Sequence, residues 1–166
     1  MDKEEMKKNA DFLINTLSGK TLPGSHTLNI RYRTLVNFAK VFGITHPKYV
    51  GSEKEAIIAC HAFANHYLIK SLYPLLIGIK LKQDGKQRDL ILNLGKILHA
   101  GQKYNWERCV DVKPGDKITA TGKWGKIWLV EKNMILFAEL FITFKNQNDK
   151  LVCKAKVSAA IRPGGY

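Results

Sequence analysis

The stretch FANHYLIKSLYPLLIG, residues 63–78, decides the fold. Leu68, Ile69, Leu72, Leu75 and Leu76 recur at helical spacing and leave the segment apolar on most sides. A helix of that kind is wrapped by other structure rather than laid on a surface. Asn65 is its expected N-cap, and Pro74 is expected to kink or end it.

What wraps the helix lies downstream, where the hydrophobic period changes from 3.6 to 2 near residue 96. In LVCKAKVSAAI, residues 151–161, Leu151, Cys153, Ala155, Val157, Ala159 and Ile161 share one face, the pattern of a half-buried antiparallel strand. MILFAELFITF, residues 134–144, reads as a longer strand joined to it by the polar turn KNQNDK. DKITATGKWGKIWLVE, residues 116–131, alternates through Ile118, Ala120, Gly122 and Trp124, then shifts phase near Gly125, which predicts a bulge or bend. GQKYNWERCVDV, residues 101–112, completes at least four strands.

Upstream the chain is mostly helical. Residues 3–18 place Met6, Ala10, Leu13, Ile14 and Leu17 on one face and stop at Gly19. HTLNI, residues 26–30, is a short strand. RTLVNFAKVFG, residues 33–43, is a second helix ending at Gly43, and SEKEAIIAC, residues 52–60, opens with a Ser52–Glu55 capping box that predicts a third. Helices first and strands afterwards define an α+β class: a curved antiparallel sheet wrapped around a central apolar helix, the hot-dog architecture. One domain over residues 1–166 is expected, with residues 1–19 as an N-terminal helical extension.

Composition fits that expectation. A chain of 166 residues can bury roughly 70% of the surface its unfolded form exposes, so it needs no staples. Cys60, Cys109 and Cys153 are widely spaced, odd in number and outside any Cys-x-x-Cys pairing, so no disulfide framework, metal site or cofactor is expected. The charged N-terminus has no apolar signal core, and LYPLLIGI is too short to span a bilayer, so a soluble cytoplasmic protein is expected. The net charge of +13 divides as +6 over residues 1–83 and +7 over residues 84–166, with only KLKQDGKQR, residues 80–88, locally dense. A Lys-rich solvated surface is its ordinary reading. A phosphate-bearing substrate handle, an acidic carrier protein or nucleic acid would also suit it, but no stacking motif, zinc knuckle or groove-binding helix supports nucleic acid.

NIRYRTLVNFAKVFGITHPKY, HAFANHYLIKSLYPLL, LHAGQKYNWERCVDVKPGDKI and FITFKNQNDKLVCKAKVSAAIR resemble, in order and spacing, the N-terminal MaoC-like dehydratase family over about residues 20–162. That family includes subunits of (3R)-hydroxyacyl-ACP dehydratases and (R)-specific enoyl-CoA hydratases. The resemblance implies a hot-dog domain that binds acyl-CoA or acyl-ACP, with a pantetheine arm carrying the acyl chain into a tunnel at a dimer interface. In active members a loop carries Gly-Asp-x-Asn-Pro-x-His. The Asp and His move the protons, and backbone N–H groups at the start of the central helix polarise the thioester carbonyl.

Laid on that loop, Gly43 takes the Gly position, Ile44 the catalytic Asp, His46 the Asn, Pro47 the Pro and Tyr49 the catalytic His. Isoleucine cannot exchange a proton, and a phenol, with an ordinary pKa of about 10, is a poor base at neutral pH. The THPKY version instead resembles non-catalytic partner subunits of heterodimeric dehydratases, which implies a heterodimer with a catalytic relative, or else a homodimer. A rearranged site using His46 or His66 is the alternative, against the ordinary reading of a loop or helix-end histidine that bonds backbone. Tyr49, Ala62, Phe63, Ala64 and Asn65 are the expected substrate-binding residues; Tyr49, Phe63, Tyr67 and Trp106 line an acyl tunnel or belong to plain core. Arg108 and Asp116 bracket the Pro-Gly turn and are expected to fix it by charge-assisted bonds.

Overall fold

The computed structural model describes residues 2–166. Five strands form one antiparallel sheet: β1 (His26–Asn29), β4 (Ile97–Asn105), β5 (Lys117–Val130), β6 (Ile135–Lys145) and β7 (Leu151–Ile161), in the spatial order β1-β5-β6-β7-β4. Strand β6 is central, and its alternate residues Leu136, Ala138, Leu140, Ile142 and Phe144 are all buried, giving the sheet a single apolar face. The phase shift near Gly125 is present. Register slips between Trp124 and Ile127 against β6, which returns both side chains to the buried face.

Four helices accompany the sheet: α1 (Lys3–Leu17), α2 (Tyr32–Val41), α3 (Pro47–Val50) and α4 (Ala64–Leu76). Helix α4 is the segment expected at the centre. Tyr67, Leu68, Ser71 and Leu75 are buried, and the Tyr67 ring lies 4.7 Å from that of Phe144 on the sheet. Helix α1 buries Ala10, Leu13 and Leu17 beside β5. The Asp2 side chain caps it by accepting from Glu5 N at 2.8 Å.

Several local expectations are corrected. Ser52–Glu55 forms no capping box. Lys54–Ala56 makes one 3-10 turn without a side-chain cap, and the chain then extends so that Ile58 N donates to Lys48 O and Ala59 N to Val112 O. Tertiary backbone pairing outweighs the local helix signal there. The short third helix is α3 instead, with Pro47 at its start. Helix α4 is preceded by the 3-10 turn His61–Phe63, so Asn65 falls inside its first turn rather than at the cap. Pro74 does not end α4, which continues to Leu76 with Ile77 N donating to Tyr73 O.

The basic run 80–88 contains a hairpin, β2 (Lys80–Gln83) with β3 (Lys86–Asp89). Its two-residue turn, Asp84-Gly85, has φ of 50° and 78°, the left-handed pair that Asp-Gly readily supplies. Asp116 does fix the turn before β5: Oδ2 accepts from Lys113 N at 2.7 Å and Oδ1 from Gln147 Nε2 at 3.0 Å. Arg108 takes no part. Its guanidinium is exposed and lies 3.8 Å from Glu107.

Candidate ligand-binding site along α4

At the start of α4 a polar cluster ties the helix to β4. Asn65 Nδ2 donates to Ala62 O at 3.1 Å, while its Oδ1 accepts from Gln102 Nε2 at 2.6 Å and from the Tyr104 hydroxyl at 2.8 Å. Burial pushes the Tyr104 phenol up to about 12, so at neutral pH it donates and does not act as a base. Trp106 lies 5.3 Å from the Tyr104 ring and stacks on His61 at 4.7 Å. Among the described residues no side chain caps the first turn of α4; the backbone does so instead, with Phe63 N donating to Cys60 O at 2.9 Å and Ala64 N to His61 O in the 3-10 turn before it. A cleft of about 90 Å³ opens beside it between Cys60, Tyr67, Trp106 and Cys109.

The loop 43–50 holds the other expected residues. Gly43, at φ 68°, ends α2, and Ile44 packs half-buried against the core. His46 Nδ1 accepts from Lys48 N at 3.2 Å, which makes the imidazole the N-cap of α3. Tyr49 is half-buried against the core, with Lys48 Nζ 4.8 Å from its ring centre. His66 stacks on Phe63 at 4.8 Å and meets Phe38 edge-on at 6.3 Å. Burial, reinforced by the Lys70 charge, lowers its pKa, so the imidazole is neutral at neutral pH. Phe63 and Ala64 are buried in the core, Ala62 only partly so. No carboxylate is hydrogen-bonded to any of these imidazoles or to Tyr104 among the described residues.

Farther along α4 the surroundings become apolar. A cavity of about 340 Å³ lies between the C-terminal half of α4 and the sheet, roofed by Leu72 and Leu76 and floored by Ala138 and Ala159, with α1 contributing Leu13 and Leu17. Its mouth carries exposed Ile69, 65% accessible, Tyr73, 59%, and Leu98, 47%. None of Tyr49, Ala62, Phe63, Ala64 and Asn65 lines it. Sequence reasoning missed this cavity. The available signal was the alanine in the middle of each inward-facing row, Leu136-Ala138-Leu140 and Val157-Ala159-Ile161, where strands prefer branched or aromatic side chains. It also missed Gln102 and Tyr104, whose roles depend on β4 lying against the start of α4.

The two ends form one seam. Residues of β4 meet both ends of α4: Gln102 and Tyr104 bond Asn65 at its start, and Ile97 and Leu98 line the cavity with Tyr73 and Leu76 near its end. Tyr104 and Leu98 are separated by roughly 20 Å of strand. Among the described residues no group of three or more His, Cys, Asp or Glu is placed to hold a metal ion, and no helix is long and apolar enough to cross a membrane.

A sheet of this topology set against one long apolar helix is the hot-dog fold, and the chain belongs to the family described as the FAS1-like dehydratase domain region, which it matches over residues 17–155. Solved structures agree in fold. The HadBC (3R-hydroxyacyl-ACP dehydratase) complex from Mycobacterium tuberculosis superposes with a TM-score of 0.66 at 13% identity, covering 89% of this chain and 99% of that one. The MaoC-like dehydratase from Rhodospirillum rubrum gives 0.64 at 14% identity, covering 89% and 94%. The R-hydratase PhaJ1 from Pseudomonas aeruginosa gives 0.54 at 19% identity, covering 88% and 81%. No curated protein sequence matches the chain.

Proposed function

We propose that this chain is an acyl-thioester-binding hot-dog subunit of a (3R)-hydroxyacyl-CoA/ACP dehydratase or (R)-enoyl hydratase type complex, and that a catalytic relative carrying Gly-Asp-x-Asn-Pro-x-His supplies the proton chemistry. The observation that carries this reading is the pairing along α4 of a polar cluster at its start, Asn65 with Gln102 and Tyr104, and an apolar cavity of about 340 Å³ beside its C-terminal half. A thioester has the same division between a polar carbonyl head and a hydrocarbon tail, and a helix start favours charge developing on the carbonyl oxygen.

The groups at the expected acid-base positions support a binding role. Ile44 has no proton to exchange, Tyr49 packs on the core, and the His46 Nδ1 lone pair is engaged by Lys48 N. Losing an acid-base group costs about 10²- to 10⁴-fold in rate. Partnering is supported by the edge of β4, which among the described residues pairs only with β7, and by exposed Leu94, Leu98, Ile69 and Tyr73.

The test is to purify the chain alone and beside a co-expressed relative that carries the loop motif. The chain alone is expected to bind acyl-CoA in a calorimeter, to give no turnover of crotonyl-CoA, and to co-elute with the relative on gel filtration as a more active complex. Turnover by the chain alone, abolished by His46→Ala or His66→Ala, would establish the self-sufficient enzyme instead.

A further inference from the structure

The inward-facing pairs of the two central strands run Leu140 opposite Val157, Ala138 opposite Ala159, and Leu136 opposite Ile161. Two alanines facing each other between branched pairs leave a hollow in the sheet, and Leu72 and Leu76 of α4 roof it without filling it. At the N-terminal half of α4 large side chains meet instead, the Tyr67 ring lying 4.7 Å from that of Phe144. Between β6 and β7, whose pairing is regular from Leu136 to Phe144, the hollow is therefore built by side-chain size.

Tyr166 lines the hollow together with Leu136, Ile161 and Gly165. Its ring is fully buried and lines the cavity, and its hydroxyl donates to Met134 O, in the turn joining β5 and β6, at 2.8 Å. The neighbouring backbone is held as well: Leu92 N donates to Gly165 O at 3.3 Å, and Gly165 N to Arg162 O at 3.0 Å. A Cβ on Gly165 would come within 2.7 Å of Ile161 Cγ2 and 2.8 Å of Lys96 Cβ, so the segment passes through a gap that only glycine fits. Tyr166 is a fixed wall, anchored at its tip and at its backbone.

We propose that Tyr166 is the end stop that sets the length of acyl chain this protein accepts, with the Ala138–Ala159 hollow providing the depth. This rests on the reading that the chain binds acyl thioesters. A chain entering past Ile69, Tyr73 and Leu98 travels over the two alanines and meets the Tyr166 ring beside Leu136 and Ile161. At about 30 Å³ per water-sized group, the cavity of about 340 Å³ takes on the order of ten methylenes, in addition to those that span the roughly 20 Å of strand between Tyr104 and Leu98. Affinity is expected to rise about fourfold for each methylene buried and to fall once the chain presses on the wall, because overpacking a closed core is unfavourable.

The experiment titrates the full chain, and its complex if one forms, with saturated acyl-CoAs of increasing length. The wild type is expected to show rising affinity up to a break. Tyr166→Ala is expected to move the break to longer chains by about two methylenes or more, and Ala138→Leu to move it to shorter ones. A folded Tyr166→Ala protein, judged by circular dichroism, with the break unmoved would overturn the proposal while leaving acyl binding intact. Should Tyr166→Ala not fold, Tyr166→Leu decides by the same criterion, since it keeps the wall apolar and shortens it. Absence of binding by the wild type at every length would overturn the acyl-binding reading and this proposal with it.

Discussion

The Tyr104 hydroxyl, on β4, donates to Asn65 Oδ1, in the first turn of α4, at 2.8 Å, joining the sheet edge to the helix start across 39 residues of sequence. The same oxygen also accepts from Gln102. Truncation to Asn65→Ala therefore strands the partly buried Tyr104 hydroxyl, whereas the exposed Gln102 amide can turn to water. A loss of about 1–3 kcal/mol is expected, read as a lower urea midpoint, together with weaker acyl-CoA binding. An unchanged midpoint would mean that water replaces the amide without cost.

His66 predicts a dependence on acid. Its folded-state pKa is lowered by burial and by Lys70, so at mildly acidic pH the unfolded chain binds more protons than the folded one. The stability this group contributes is complete above its unfolded value of about 6.5 and is lost as pH falls through that value toward the lower folded one. Thermal melts between neutral and mildly acidic pH are expected to show a decline, and His66→Phe, which preserves the ring stack on Phe63, to flatten it. An equal decline in both proteins would place the acid sensitivity elsewhere.

Ser71 is fully buried in α4, and its hydroxyl has no hydrogen-bond partner among the described residues. Removing a polar group already held away from water relieves a cost of about 1–3 kcal/mol, and alanine is a better helix former. Ser71→Ala is expected to raise stability by about 1 kcal/mol in chemical denaturation. A loss of stability would show that the hydroxyl is bonded in solution.

Asp116 ties three segments, accepting from Lys113 N and Gln147 Nε2 while its own backbone carbonyl accepts from Ile30 N at 2.8 Å. Asp116→Ala is expected to cost about 2–3 kcal/mol, whereas Arg108→Ala, at an exposed site, is expected to stay within about 0.5 kcal/mol. Equal effects of the two would restore the paired role that their positions around the Pro-Gly turn imply.

The contrast between those two residues shows what the sequence makes legible. Strong periodicity is read correctly: α4, the alternation of β6 and β7, and even the phase slip near Gly125 are visible because side-chain burial repeats over many residues. Signals resting on one or two residues fare worse. The Ser52–Glu55 capping pattern loses to backbone bonds from Ile58 and Ala59 to distant segments, and Arg108 points into solvent although its spacing suits a bond to Asp116. Asp84-Gly85 carries a turn signal of its own, masked by the surrounding charge. The site divides in the same way. The start of α4 can be located from sequence, but the β4 partners of Asn65 and the paired alanines depend on strand register, which no local pattern encodes.

Strand β1 finds its only partner in β5, with Thr27 opposite Thr119. On the ribosome, then, α1 and α4 emerge before the long strands they pack against, and the edge of the sheet waits for some ninety residues of synthesis before it can be joined. Closing so large a loop makes folding slow, and in that interval the greasy face of α4 is open to any other nascent chain. A subunit of the proposed kind, translated alongside, would meet that face early, so the timing of synthesis would bear on which chain it joins.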